Sequence, residues 1–516
     1  MQRTRWISGW DPESPRQWAD GGRRTARRNL WASVVAEHVA FAVWSLWSVL
    51  ALFMVPERGF TVSAGDKFLL TSVATLAGAA LRVPYSLAVT RLGGRNFTVL
   101  SGLGMLVPVG LAAELMRHPH APFGAFLACA AVSGLGGGSF ASSMTNINAF
   151  FPKREKGRAL GLNAGGGNLG VASVQLLGLL VAAVSGTADP WVLPAVLSGC
   201  LLVSAAAAGR AMDNLAAPRG GPSAYRAVLG DRRCWALCAL YMGTFGSFIG
   251  FSFTFGLVLQ DDFGRSPLQA AALTFTGPLL GSLARPVGGM LADRYDAARV
   301  TTAAFLGLAA GTAVVLAASV AGSLPLFTAG FEVLFVLSGL GNGSTYKLIP
   351  ATYAAWAARR TAAGTPAGEA AAEGLRRTGA VIAVAGAVGG LGGVAINLAF
   401  RESYAHVHDP RPALLGFLVC YGLCVAVTRT VRAGDGAGAR TPAPPGAAGA
   451  PRQLPDRPPA TRTVGTAGAA RSAGAPGAPG APGAASTAGT AGPAGSAGPA
   501  GPAGPARALA RRSSAS

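Results

Sequence analysis

The sequence predicts an all-α, multi-pass membrane protein of twelve transmembrane helices in two six-helix halves. Three observations carry this expectation. Of 516 residues, 51% are hydrophobic and only 13% charged, about half the charge of an ordinary soluble domain. Apolar runs of about 20 residues, long enough to cross a bilayer as a helix, recur twelve times between 30 and 430. Landmarks in the first six runs return in the last six at a spacing near 200 residues.

The spans run approximately from 30 to 55, 68 to 90, 97 to 116, 122 to 150, 158 to 185 and 190 to 212 in the N-terminal half (30–212). After a linker at 213–233 they continue from 234 to 259, 268 to 292, 300 to 321, 325 to 351, 378 to 400 and 411 to 430 in the C-terminal half (234–430). Residues 1–29 hold seven Arg, three Trp and the acids Asp11, Glu13 and Asp20, with no apolar core, so they read as a cytoplasmic leader and not a signal peptide. From 431 to 516 the chain is rich in Ala, Gly and Pro without hydrophobic periodicity, the composition of a disordered tail.

The net charge of +21 raises the question of a nucleic-acid partner. The distribution of charge answers it: Lys and Arg lie between the apolar runs, as they do beside an anionic lipid surface, so the expected partner is the bilayer and not nucleic acid. With the N-terminus inside, 24 Lys and Arg fall on the inner side and six on the outer. That bias predicts a cell-membrane protein with both termini cytoplasmic. The six cysteines lie in or beside apolar runs and read as free thiols, and no His, Cys or acid set has metal-ligand spacing, so neither metal nor cofactor is expected. GLGGGSF lacks the flanking strand that a phosphate loop needs, and no Ser, His and Asp set suggests an enzyme.

The repeat is the informative feature, because transporters are commonly built from repeats with the substrate site where they meet. SGLGGGSF from Ser133 to Phe140 recurs as SGLGNGST from Ser338 to Thr345, six of eight positions identical at an offset of 205. Arg82 in the second span matches Arg285 in the eighth at an offset of 203. Gly-rich stretches in spans 4, 5, 10 and 11 let helix backbones approach closely, which marks these spans as tightly packed inner helices.

Arg82 and Arg285 are the candidates for chemistry. A charge deep in the bilayer costs about 2.5 to 3.5 kcal/mol on insertion scales and normally faces the bundle interior. A guanidinium presents planar, forked donors that match a planar oxyanion at two points, so the expected substrate is a small oxyanion. Asn163, Asn168 and Gln175 on the fifth span are candidate neutral donors, and Trp47, Phe140, Tyr241 and Phe245 candidate walls of a narrow slot. Glu332, Glu37 and His38 are the candidates for proton coupling. Lys347 and the GGMLADR stretch at 288–294 are expected to pin helix ends on the cytoplasmic side.

At these residues the sequence resembles the nitrate/nitrite porter family of the major facilitator superfamily. The resemblance runs from Asp11 to about Arg429 and is carried by GLGGGSFASSMTNINAFFPKREKGRALGLNAGGGNLGV (134–171), by GLGNGSTYKLIP (339–350), and by the leader's Asp11-Pro12-Glu13 and Arg27-Arg28-Asn29-Leu30. It implies the major facilitator fold and a slot for nitrate and nitrite between Arg82 and Arg285. Phe140, Asn168, Tyr241 and Phe245 would surround the anion, with Trp47 where relatives hold Phe. Two departures stand out: GAVGGLGGVAIN (386–397) lacks the hydroxyl expected near Gly386, and Glu332 is not expected at its place. The implied activity is nitrate/nitrite exchange, and the protein is expected to be a monomer. Nitrate/proton symport and a non-transporting nitrate sensor are the alternatives.

Overall fold

The computed structural model describes residues 6–184, 189–216 and 222–436, apart from the side chains of residues 153, 222–224 and 432–436. The tail expected from 431 onward therefore lies, from 437, outside the described residues.

Among the described residues twelve long helical segments follow one another, with shorter helices in the leader and linker. In the first half α1 is Arg23–Trp44 continued as Leu46–Leu50, α2 is Ala64–Leu92, α3 Gly94–Leu115, α4 Phe123–Phe150, α5 Lys153–Val184 and α6 Val192–Ala211. In the second, α7 is Arg232–Phe263, α8 is Pro267–Thr274 continued as Thr276–Tyr295, α9 Ala297–Val320, α10 Leu324–Ala362, α11 Ala367–Val407 and α12 Arg411–Gly436. Ten of these are long and apolar enough to cross a membrane, and α1, bent by 43° at its break, makes an eleventh when its pieces are joined. The remaining segment, α8, falls below that standard because Arg285, Pro278, Pro286 and its glycines dilute the apolar residues. The helices α10 and α11 extend well beyond the expected 325–351 and 378–400, running on as exposed polar turns around Arg359 and Glu369.

Sequence explains where the helices begin. Ser63 and Asp66 form a reciprocal capping box at the start of α2, and Ser266 with Gln269 repeats it at α8, where Pro267 occupies the first turn. The carboxylate of Asp231 accepts the Arg233 N–H at the start of α7. Gly59, Gly93 and Gly264 end segments with positive φ, the conformation glycine adopts without penalty.

The leader is not a separate arm. Trp6–Ile7 pairs in parallel with Asn214–Leu215 of the linker, Arg28 Nη2 lies 2.5 Å from Asp213 Oδ2, and Trp10 and Trp18 pack edge-on against Phe150 and Phe151 at the end of α4. A short linker helix, Pro222–Leu229, packs on α11 and carries the Tyr225 hydroxyl to 3.2 Å from Ser86 of α2.

Packing repeats with the sequence. The helix α4 crosses α2 where a Cβ on Gly134 would meet Gly78 N at 2.7 Å, and α10 crosses α8 where a Cβ on Gly339 would meet Gly281 O at 2.1 Å. Only glycine permits either approach. Gly78 and Gly281 each lie four residues, one helical turn, before Arg82 and Arg285, so the same crossing positions both arginines. Across the halves α2 packs on α11 and α5 on α8.

Candidate functional site

Arg82 of α2 is wholly buried. Its Nε donates to the Gly137 carbonyl of α4 at 3.3 Å and its Nη1 to the Gly386 carbonyl of α11. Its guanidinium carbon lies 4.8 Å from the ring centres of both Phe140 and Phe245, and 5.4 Å from Trp44. A cation against aromatic faces gains about 2 kcal/mol when desolvated, which offsets part of the cost of burying the charge. Arg285 of α8, only 5% exposed, donates from Nη2 to the Tyr241 hydroxyl at 3.1 Å and lies 5.7 Å from the Tyr346 ring.

The aromatic rings connect the two cations. Tyr241 and Phe245, four residues apart on one face of α7, stack with centroids 5.2 Å apart and planes within 5°, and Phe245 in turn stacks on Phe140 at 6.1 Å. Arg82 and Arg285 are close enough to repel one another. Each keeps one buried amino group without a hydrogen bond: Nη2 of Arg82 and Nη1 of Arg285. Neither arginine has a carboxylate within ion-pair distance among the described residues. Two unspent planar donors beside stacked rings can take a flat, singly charged oxyanion.

A cavity of about 790 Å³ reaches this cluster, with Phe140, Tyr346 and Gly386 at its inner end and Tyr225, Glu373 and Arg376 at its mouth, on the face that carries the linker. The opposite face is shut. Gln175 Nε2 of α5 donates to the Ser252 carbonyl of α7 at 2.7 Å, Gln260 Nε2 donates to the Leu52 carbonyl at 2.9 Å, and Phe68 stacks on Phe400 and Tyr404.

The remaining sequence candidates divide clearly. Asn168 is fully buried on α5, and neither its Nδ2 nor its Oδ1 makes a hydrogen bond. Glu37 is buried on α1 within electrostatic range of both arginines, without touching either. Trp47 stands apart: its indole donates to Ser133 Oγ at 3.2 Å and its ring packs on Phe126. Trp44, on the other side of the break at Ser45, faces Arg82 instead. Nδ1 of His38 sits 3.0 Å from the Gly166 carbonyl of α5. Glu332 accepts the Thr276 hydroxyl at 2.6 Å, in an α8–α10 contact away from the arginines. Asn163 donates to Glu37 and Gln175 to the α5–α7 closure, so both amides are engaged elsewhere. Lys347 Nζ lies 2.8 Å from both Asp293 oxygens, which joins α10 to the GGMLADR end of α8.

Trp44, Tyr346 and the carbonyls of Gly137 and Gly386 were not singled out in the sequence. Tyr346 directly follows the SGLGNGST repeat and lies inside the GLGNGSTYKLIP stretch (339–350), within reach of that pattern. A carbonyl that accepts from an arginine 304 residues away leaves no mark on residue type.

Fold and site together describe a repeat-built protein of membrane-spanning helices with two buried arginines at its centre. Residues 38–397 match the Major Facilitator Superfamily. The nitrate/nitrite transporter NarU of Salmonella typhimurium is 36% identical over 445 residues, covering 82% of this chain and 95% of that protein. The probable nitrate/nitrite antiporter NarK2 of Thermus thermophilus is 33% identical over 378 residues, covering 67% and 82%. A solved bacterial homolog of the human lysosomal transporter Spinster, inward-facing and unoccupied, has a TM-score of 0.57 at 14% identity, over 81% of this chain and 99% of that one. That likeness is one of fold alone. The chain belongs to the Major Facilitator Superfamily and, within it, to the nitrate/nitrite porters.

Proposed function

We propose that this protein carries nitrate and nitrite across the cell membrane by alternating access, with one anion held between Arg82 and Arg285. The arrangement that carries this reading is the pair of buried guanidiniums on repeat-related helices, each with an amino group still free to donate. The names of its relatives support the choice of anion. Arg82 is held by two carbonyls and flanked by rings, so it acts as a fixed clamp. Among the described residues Arg285 makes one hydrogen bond, to Tyr241, and supplies the adaptable contact. Phe140, Phe245 and Tyr241 give the slot flat walls, and Asn168 adds a neutral donor.

The face bearing the linker and the N-terminus is cytoplasmic in this reading, in line with the Lys and Arg bias. Rocking of the halves about the anion closes the linker-side cavity and parts the Gln175–Ser252 and Gln260–Leu52 contacts. Closing over two buried guanidiniums with no anion between them is costly, and a bound anion relieves much of that cost. Reorientation mainly when loaded makes nitrate/nitrite exchange the principal mode. The test is counterflow in proteoliposomes: internal nitrite should accelerate nitrate entry several-fold, and entry indifferent to internal nitrite excludes exchange. Undiminished flux after deletion beyond residue 435 would exclude a sensor whose tail is its output.

A further inference from the structure

Glu37 has surroundings that an exchange site does not use. Its side chain is 1% exposed. Oε2 accepts from Asn163 Nδ2 at 2.5 Å and from the Ser143 hydroxyl, whereas Oε1 is buried without a hydrogen bond. Gly167 leaves the room that Oε1 occupies, since a Cβ there would come within 2.6 Å of it. The groups facing Glu37 are Arg82 from α2, Arg285 from α8 and Tyr346 from α10 at electrostatic range, with only hydroxyls and an amide from α3, α4, α5 and α6. His38, its neighbour on α1, is turned to the Gly166 carbonyl. A crevice of about 20 Å³, room for one water, adjoins Glu37 and is lined by Ser33, Thr98, Ser101, Ser143 and Ser204 among others.

We propose that Glu37 is a proton-binding site coupled to anion binding, which gives this carrier a proton-linked uptake mode beside exchange. With the slot empty, the ionised carboxylate compensates part of the charge of the two guanidiniums from outside the slot. When nitrate enters, two negative charges share one positively charged pocket, and a proton from the hydroxyl-lined crevice adds to a carboxylate oxygen. Anion and proton therefore bind cooperatively, each raising the affinity for the other. The unloaded protein with Glu37 ionised carries the same net charge around the slot as the protein loaded with anion and proton, and it returns without an anion, a step that pure exchange forbids.

This inference rests on the nitrate/nitrite reading, and one experiment separates the two. The full chain is reconstituted with a pH-sensitive dye inside, and nitrate is added outside with no nitrite within. The unaltered protein should acidify the interior as nitrate enters. Glu37→Gln should cut that acidification by about tenfold while nitrate/nitrite counterflow persists, and Glu37→Asp should restore it. Counterflow without acidification in the unaltered protein, or acidification that survives Glu37→Gln, overturns the proton site and leaves the carrier reading intact. Absence of counterflow in the unaltered protein overturns both.

Discussion

The Nη1 of Arg82 donates to the backbone carbonyl of Gly386, joining the second helix of one half to the fifth helix of the other. Gly386 lacks the hydroxyl expected near it and offers its main-chain carbonyl to Arg82. The arginine uses a main-chain acceptor there, and a Cβ at Gly386 would stand 3.7 Å from Nη1, an ordinary contact. The carbonyl holds the cation across the interface that must move during transport. The bond thereby ties Arg82 to the relative position of the halves.

Arg82→Lys should abolish counterflow while the protein still folds. An ammonium keeps the charge but loses the fork that bonds the Gly137 and Gly386 carbonyls together and leaves Nη2 free to donate. Loss of hydrogen bonds to a charged group at about 1.5 to 3 kcal/mol each predicts at least about a tenfold fall in nitrate counterflow. Full activity would contradict the slot.

Tyr241→Phe removes the hydroxyl that accepts from Arg285 Nη2 and keeps the stack on Phe245. The expected result is a KM for nitrate raised by about five- to tenfold, equivalent to about 1 kcal/mol. Thermal stability in detergent should stay close to that of the unaltered protein.

Gly339→Ala places a methyl 2.1 Å from the Gly281 carbonyl and must push α10 off α8. Folded yield and melting temperature should both fall. Gly165→Ala, where a Cβ meets nothing within 4 Å, should leave both unchanged and serves as the control.

Gln260→Ala deletes one of the bonds that shut the face opposite the linker. A net hydrogen bond of about 1 kcal/mol shifts a two-state population by about fivefold. Spin-label distances across that face should show a larger open fraction than in the unaltered protein.

Glu332→Gln should leave both nitrate flux and any accompanying proton movement unchanged. Its carboxylate is bonded to Thr276, on the far side of α8 packing from the arginine cluster. A loss of proton movement in this variant would transfer the coupling role from Glu37.

Much of this protein was legible in residue order. Runs of about 20 apolar residues admit one backbone solution in lipid, a helix whose hydrogen bonds are internal, so spans and their order follow from hydropathy. The repeated SGLG motif and the paired arginines follow equally, because symmetry-related helices need the same small residues at the same crossing. The neighbours of each buried group were not legible. The break at Ser45 turns Trp44 toward Arg82 and leaves Trp47 on Ser133. The three acid and imidazole candidates all bond to adjacent helices, Glu37 to Ser143 and Asn163, Glu332 to Thr276 and His38 to Gly166, and Glu37 also lies within electrostatic range of both arginines. Helix rotation and cross-half contact are set by the packing of all twelve segments at once, and a main-chain acceptor such as Gly386 has no side chain to announce it.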